Sequence, residues 1–368
     1  MKITAALAKT PETGFSIEEI ELAAPRPEEI IVEIRGVGLC HTDVAARDGF
    51  YGLPYPSVLG HEGSGIVTET GSEVKSVKPG DSVLISFSSC GSCRTCKSDR
   101  TPYCENFTEQ NYIGSRPDGT NSLSLNGQPV HGHFFGQSSF ASHAVATERN
   151  VVKVESELDI SLLGPLGCGI QTGAGAIMRS MKCVAGSTLV VLGAGPVGLA
   201  AVMGGVLQGC SKILVVELLA SRRDLATDLG ATHALDPSEG PLPEQILAAA
   251  GGGADYIFDT TGRPDVIASA MEAAAVNAVV GLVGVPRDLS VALPINIVAT
   301  MQRGLTIKGI VEGDSNPHDF LPELLEHHRQ GRFPFDRLIT TYPLAEINEA
   351  VAAQHRGDAA KVVLLPNS

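Results

Sequence analysis

The stretch Val190-Val191-Leu192-Gly193-Ala194-Gly195-Pro196-Val197-Gly198 decides the fold. A short apolar run enters Gly-x-Gly-x-x-Gly, and an Ala/Gly/Val-rich helical stretch follows to Leu207. In such a unit Gly193 permits the tight turn, Gly195 lets a pyrophosphate approach the backbone, and Gly198 permits close helix–sheet packing. The helix N-terminus faces the phosphates. The glycine pattern is weak alone. Here a second strand, Ile213 to Val216, ends in Glu217, 19 residues after Gly198, where a carboxylate hydrogen-bonds ribose hydroxyls. That charge repels a 2′-phosphate, so NAD is expected over NADP. Arg222 and Arg223 follow closely and leave some tolerance for NADP.

Outward from this turn, short apolar strands alternate with helical stretches from Ser161 onward. Expected strands are Thr188 to Leu192, Tyr256 to Phe258, Ala278 to Val285 and Leu305 to Ile310. Helices are expected at Pro196 to Leu207 and near Arg222 to Leu229. The alternation predicts a doubly wound parallel sheet. The first third reads instead as β-rich, with strands at Ile30 to Ile34, Gly65 to Val67 and Ser82 to Ile85, and Lys361 to Leu365 ends the chain as another. Asn106 to Phe140 is polar and glycine-rich and is expected to be an extended loop region.

With 368 residues, two domains are expected. A hydrophobic share of 43% and 41 glycines fit a globular chain with many tight turns. The formal charge of −14 argues against a nucleic-acid partner and against docking on anionic lipid. The start of the chain lacks a secretory signal, no apolar run reaches the length of a membrane span, and a cytoplasmic location is expected.

Four of the eight cysteines form Cys90-x2-Cys93-x2-Cys96-x7-Cys104. Four thiolates at this spacing close a tetrahedral shell around one structural zinc. Redox cysteines without metal are the alternative. Farther apart stand Cys40, His61 and Cys168, two cysteines and a histidine that make a three-ligand zinc site with an open fourth position. Spacing alone is weak there, and the longer pattern Gly60-His61-Glu62-x2-Gly65-x5-Gly71-x2-Val74 adds force.

With these motifs in this order, the chain resembles the zinc-containing medium-chain alcohol dehydrogenases over essentially its full length. Val130-His131-Gly132-His133-Phe134-Phe135-Gly136-Gln137-Ser138-Ser139-Phe140-Ala141 and Leu166 to Thr172 look most like the aryl (benzyl) alcohol dehydrogenases. The resemblance implies an α/β fold: a GroES-like catalytic domain over 1–169 and 311–368, carrying the zinc lobe at about 90–104, and a Rossmann NAD-binding domain over 170–310, with the active site in the cleft between them. Cys40, His61 and Cys168 match catalytic zinc ligands and Glu62 a nearby carboxylate. Asp43 matches a carboxylate that orients His61, and Thr42 the hydroxyl that takes the substrate proton. His41 and Lys361 match cofactor-phosphate contacts, and Thr172, Val197 and Val283 to Val285 match groups around the nicotinamide. Tyr51, Phe87 and Phe140 are candidates for an apolar substrate pocket. A histidine that several family members place five residues after the first ligand is absent; Ala45 stands there.

The activity implied is interconversion of a primary alcohol, benzylic or allylic, and its aldehyde, with two zinc ions per chain and NAD. A dimer or tetramer is expected, formed through the segment Leu305 to Ile310. Two other functions remain open: a dehydrogenase of thiol adducts such as hydroxymethyl-glutathione, for which no cationic cluster is evident, and a non-catalytic NAD-binding protein, which the filled ligand positions disfavour.

Overall fold

The computed structural model describes residues 1–155 and 158–367. The chain divides into two compact units. One comprises Met1–Cys168, Asn316–Leu325 and Asp336–Ser368; the other comprises Gly169–Ser315 and Glu326–Phe335.

In the second unit six parallel strands lie in the order His233–Leu235, Lys212–Val216, Thr188–Leu192, Ala254–Asp259, Ala274–Leu282, Thr306–Gly309. The chain enters at Thr188–Leu192, builds to one side, then returns and builds to the other. This doubly wound order opens a crevice at the carboxyl end of the first strand. All five residues of Thr188–Leu192 are buried, as expected of a parallel strand covered on both faces. Helix Pro196–Leu207 is buried from Gly198 to Gly205, which explains why its sequence shows no polar stripe.

The first unit holds two sheets. In the larger, the ten-residue strand Glu29–Gly38 pairs antiparallel with Gly63–Thr70 and His143–Thr147. Its end pairs with the C-terminal strand Lys361–Leu365, Val363 opposite Gly38, which carries Lys361 to the neighbourhood of Cys40. The smaller sheet runs Ser57–Val58, Lys2–Ala8, Phe15–Leu22, Leu123–Leu125, Gln128–Val130. Apolar side chains of this unit, among them Leu7, Ile30, Val37, Val83 and Leu364, form one buried core.

Two expectations need correction. Asn106 to Phe140 is more than loop: it contains helix Phe107–Asn111, the hairpin Leu123–Leu125/Gln128–Val130 that extends the small sheet, and the buried Phe134 and Phe135. Its strands are too short to show alternation. The fifth strand of the parallel sheet spans Ala274–Leu282, so Val283 to Val285 lie in the loop beyond its carboxyl end. Among the described residues, no helix is long and apolar enough to cross a membrane.

Candidate active site

Cys40 precedes helix His41–Arg47 as its N-cap. Asp43, in the first turn, is fully buried and accepts three hydrogen bonds. Oδ2 takes the Cys40 N–H (3.0 Å), while Oδ1 takes the Gly60 N–H (3.0 Å) and meets His61 Nδ1 (2.8 Å). One carboxylate thus ties together two segments of the chain and fixes the imidazole with Nδ1 as donor, the arrangement in which a carboxylate orients a metal-ligating histidine. His61 Nε2 is buried and has no hydrogen-bond partner among the described residues. The ring stacks on Phe135 (centroids 4.4 Å) and meets Phe134 edge-on (5.5 Å). Gln137 holds the same segment, taking the Gly63 N–H on Oε1 (3.0 Å) and donating from Nε2 to His61 O (2.8 Å).

One ligand atom from each of Cys40, His61, Glu62 and Cys168 lies within 4.8 Å of the others. A buried nitrogen with no partner is costly unless it meets a hydrogen-bond donor or a cation. Two sulfurs and an imidazole converging on it are a donor set that zinc takes. The residues therefore fit the ion. Hydrogen bonding from Cys168, opposed by burial and helped by His61, holds the Cys40 thiol well below its usual range. Burial works against a charged His61, but Asp43 and Cys40 outweigh it and hold the ring well above its usual value. Glu62 and Lys361 form a fully buried ion pair, with Nζ 2.5 Å from Oε2 and bonded also to Leu39 O (3.0 Å).

Thr42 Oγ1 stands 3.6 Å from Cys40 Sγ. Burial raises the pKa of the nearby Tyr51 phenol, as does the Cys40 charge, while hydrogen bonding with Thr42 pulls it down. The second group, Cys90, Cys93, Cys96 and Cys104, also gathers its sulfurs within 4.8 Å. Backbone N–H groups point at them: Cys93 N at Cys90 Sγ (3.4 Å), Cys96 N and Glu105 N at Cys93 Sγ (3.4 Å each), Cys90 N at Cys104 Sγ (3.3 Å). Burial raises the Cys90 thiol pKa, but the N–H groups of Ser92 and Cys93 more than offset it, bringing it to about 5.

In the parallel-sheet unit, Gly193 has φ +95° and a Cβ at Gly198 would fall 2.0 Å from Gly193 O, so the turn and the helix both require glycine. A Cβ at Gly195 would meet nothing within 4 Å, leaving that backbone open to a ligand. Glu217 reaches across the turn: Oε2 accepts the Ala194 N–H (2.9 Å) and Oε1 the Leu219 N–H (3.0 Å). Arg223 is committed to Glu217 O, Leu218 O and Asp236 (2.8, 2.7 and 3.0 Å), whereas Arg222 Nε has no hydrogen-bond partner among the described residues. Val197 is partly buried on the helix that leaves this turn. Thr172 is buried with Oγ1 donating to Glu312 Oε2 (3.3 Å), and Val283 and Val285 occupy the loop after strand Ala274–Leu282. His41 is exposed at the start of its helix.

Three of the expected residues have other duties. Lys361 is 1% exposed and its ammonium is spent on Glu62, so the cofactor-phosphate role is dropped. Phe140, at 0% exposure, packs edge-on to Phe15 (5.7 Å) in the core, and Phe87, at 2%, packs against Phe107 (6.0 Å). Neither exposes a ring to a ligand, because both lie on segments whose faces are covered inside the unit. Tyr51 is only partly buried and stacks at a tilt on Tyr112 (4.9 Å). Tyr112, Phe134 and Phe135 form the aromatic wall beside His61; the sequence stretch from Val130 to Ala141 contains the last two but carries no sign that they flank the imidazole.

Residues 26–156 match the family model for the alcohol dehydrogenase GroES-like domain, and residues 196–327 match that for zinc-binding dehydrogenase. The chain belongs to the zinc-dependent medium-chain alcohol dehydrogenases. It is 46% identical over 353 residues to a geraniol dehydrogenase of Castellaniella defragrans, covering 95% of this chain and 94% of the relative. Among solved structures, an alcohol dehydrogenase zinc-binding domain protein from Burkholderia ambifaria superposes with a TM-score of 0.98 at 44% identity, over all of both chains. Benzyl alcohol dehydrogenase from Acinetobacter calcoaceticus gives 0.96 at 37% identity, over 99% of each. The fold is thus α/β, a GroES-like part and a Rossmann-like parallel sheet, and the protein is an oxidoreductase of alcohols.

Proposed function

We propose that this alcohol dehydrogenase interconverts a primary alcohol of allylic or benzylic type and its aldehyde, with NAD as hydride carrier and two zinc ions per chain. The observation that carries the site assignment is the buried His61 Nε2, without a hydrogen-bond partner among the described residues, in a group with the sulfurs of Cys40 and Cys168. The substrate class rests on the relatives, one acting on geraniol and one on benzyl alcohol.

Cys40, His61 and Cys168 would hold a zinc ion with one open position, and Cys90, Cys93, Cys96 and Cys104 a second, closed one. The bound groups supply Lewis-acid acidification of the substrate hydroxyl and a hydride acceptor. Asp43 keeps His61 in one tautomer and orientation. Thr42 Oγ1 accepts the proton of the substrate hydroxyl. With Ala45 offering no side chain to pass it on, the proton leaves through water or His41, and a bound cofactor's hydroxyls would add acceptors on the way. Gly193 to Gly198 would cradle the pyrophosphate, and Glu217 would address the adenosine ribose. Its two backbone hydrogen bonds leave the carboxylate in place as a fixed negative charge, which disfavours a 2′-phosphate. The remaining site residues, Glu62 and Tyr51 beside the metal group and Thr172, Val197, Val283 and Val285 beside the cofactor, position rather than react. A homo-oligomer forms through the edge strand Thr306–Gly309.

The test is a panel of benzyl, cinnamyl, geranyl and short aliphatic alcohols followed by NADH absorbance, repeated with NADP. The conjugated alcohols with NAD should give the highest kcat/KM. A preference for short aliphatic alcohols, for NADP, or for substrates formed only with added thiol would refute the reading.

A further inference from the structure

Two cysteines lie outside both metal groups and outside the mechanism. Cys183 and Cys210 sit in the loops that lead into the neighbouring parallel strands Thr188–Leu192 and Lys212–Val216, whose register sets Thr188 opposite Lys212. The loops are bound to each other: Gly186 N–H donates to Gly209 O (2.8 Å), Ser211 N–H to Ser187 O (2.9 Å) and Ser211 Oγ to Gly186 O (2.6 Å). Ser187 Oγ is 3.5 Å from Cys210 Sγ, and Cys183 and Cys210 stand close enough that each thiol is the largest influence on the other's ionisation. Cys183 is 2% exposed, while Cys210 is partly exposed beside the open surface of Val184 to Gly186.

We propose that Cys183 and Cys210 are a peroxide-reactive dithiol that closes to a reversible disulfide. The arrangement separates two roles. Hydrogen bonding from Cys183, helped by Ser187 and opposed by burial, brings the Cys210 thiol down to about 7, so much of it is thiolate near neutral pH. Cys183 is pushed up, first by its bond to Cys210 and then by burial, and stays a thiol. The charge facing the pair is Asp255, which disfavours both thiolates and whose Oδ2 is occupied by the Thr188 N–H (2.8 Å); Tyr256 also faces it. A low-pKa, accessible thiolate next to a resolving cysteine is the combination that selects for oxidation.

The Cys210 sulfur attacks one oxygen of a hydroperoxide. The O–O bond breaks, an alcohol or water leaves with a proton, and the sulfur becomes a sulfenic acid. The Cys183 sulfur then attacks Cys210 Sγ. The S–S bond forms, the S–O bond breaks, and hydroxide departs as water with the Cys183 proton. Two thiols have lost two electrons and two protons, and the peroxide is reduced. The glycine turn lies at the opposite, carboxyl end of the same strands, so the bond closes away from it. Oxidation is arrested at a stage that thiols reverse, short of sulfinic acid.

The test treats the zinc-loaded protein with a few equivalents of hydrogen peroxide slightly above neutral pH, alkylates remaining thiols, and maps peptides by mass spectrometry. The peptides bearing Cys183 and Cys210 should be joined, two hydrogens lighter, and be released by dithiothreitol. In Cys183→Ser the link should vanish and dimedone should label Cys210. In Cys210→Ser, Cys183 should remain alkylatable. The proposal is overturned if both cysteines are still fully alkylated once cysteines of the two metal groups are oxidised. It is equally overturned if Cys183 oxidises as readily in Cys210→Ser as in the wild type.

Discussion

Asp43 shows how much one side chain organises. With three hydrogen bonds it sets Cys40, Gly60 and His61 in one frame, so that Nε2 is the imidazole nitrogen left without a hydrogen-bond partner among the described residues. Thr42, next in the chain, is the expected proton acceptor. Thr42→Ser should keep most activity, whereas Thr42→Ala should lower single-turnover hydride transfer by about 10²–10⁴-fold, the usual worth of a placed proton-transfer group. Near-normal single turnover in the alanine variant would remove Thr42 from the mechanism. Glu217, proposed to face the adenosine ribose, braces the glycine turn through Ala194 N–H, which its position in the sequence did not reveal. Glu217→Ser should therefore shift the ratio of NADH to NADPH dissociation constants towards NADPH and also weaken NADH, as titrated by fluorescence quenching. An unchanged ratio would show that the carboxylate does not discriminate. His133 offers a pH test away from the metal groups. Burial, reinforced by the Arg116 charge, pushes its pKa down to about 4 from an ordinary 6.5. Between those values the unfolded chain binds more protons than the folded one. Stability should fall as pH drops from about 6.5 towards 4 and be intact above pH 7, by about 3 kcal/mol. His133→Asn, whose side chain tolerates the left-handed backbone there (φ +60°), should flatten this slope in urea midpoints measured across pH; an unaltered slope would assign it to other groups.

At the scale of elements, strands and turns with strong local signals were legible. Thr188–Leu192, Pro196–Leu207, Ser82–Ile85 and Lys361–Leu365 stand where apolar runs and flanking turns put them. Helix Ala220–Asp228 and the parallel strands Ala254–Asp259, Ala274–Leu282 and Thr306–Gly309 differ from expectation by a few residues at their ends. What escaped depends on long-range contact. The hairpin at Leu123–Leu125 and Gln128–Val130 exists because Leu22 and Glu21 supply a neighbouring edge, and three-residue strands carry too little periodicity to announce themselves. The grouping of Cys40, His61 and Cys168 and that of the four clustered cysteines were legible through spacing and resemblance, but the contacts of Phe134, Phe135 and Gln137 with His61 were not, because they lie more than seventy residues away in the chain. Lys361 likewise looked like a phosphate contact until strand pairing buried it against Glu62. The tightest element-level test is Gly198. An alanine Cβ there would meet Gly193 O at 2.0 Å, so the turn must open. Overpacking of this kind costs about 1–3 kcal/mol, and NADH affinity should drop by about tenfold or more in Gly198→Ala. Full affinity would mean the helix shifts freely and the glycine is dispensable.

For the whole molecule, the edge strand Thr306–Gly309 and the exposed Ile297, Val298 and Met301 mark the face on which self-association is proposed. Light scattering should return a multiple of the 38.3 kDa chain; a monomer at micromolar concentration would contradict it. The central claim is that two separate sets of side chains each hold a zinc ion and that only one of them serves catalysis. Metal analysis of Cys168→Ala beside the wild type tests this directly. The wild type should carry about two zinc ions per chain and the variant about one, with the ion at Cys90, Cys93, Cys96 and Cys104 retained and alcohol oxidation lost. A variant that keeps both ions, or sheds both together, would contradict the account.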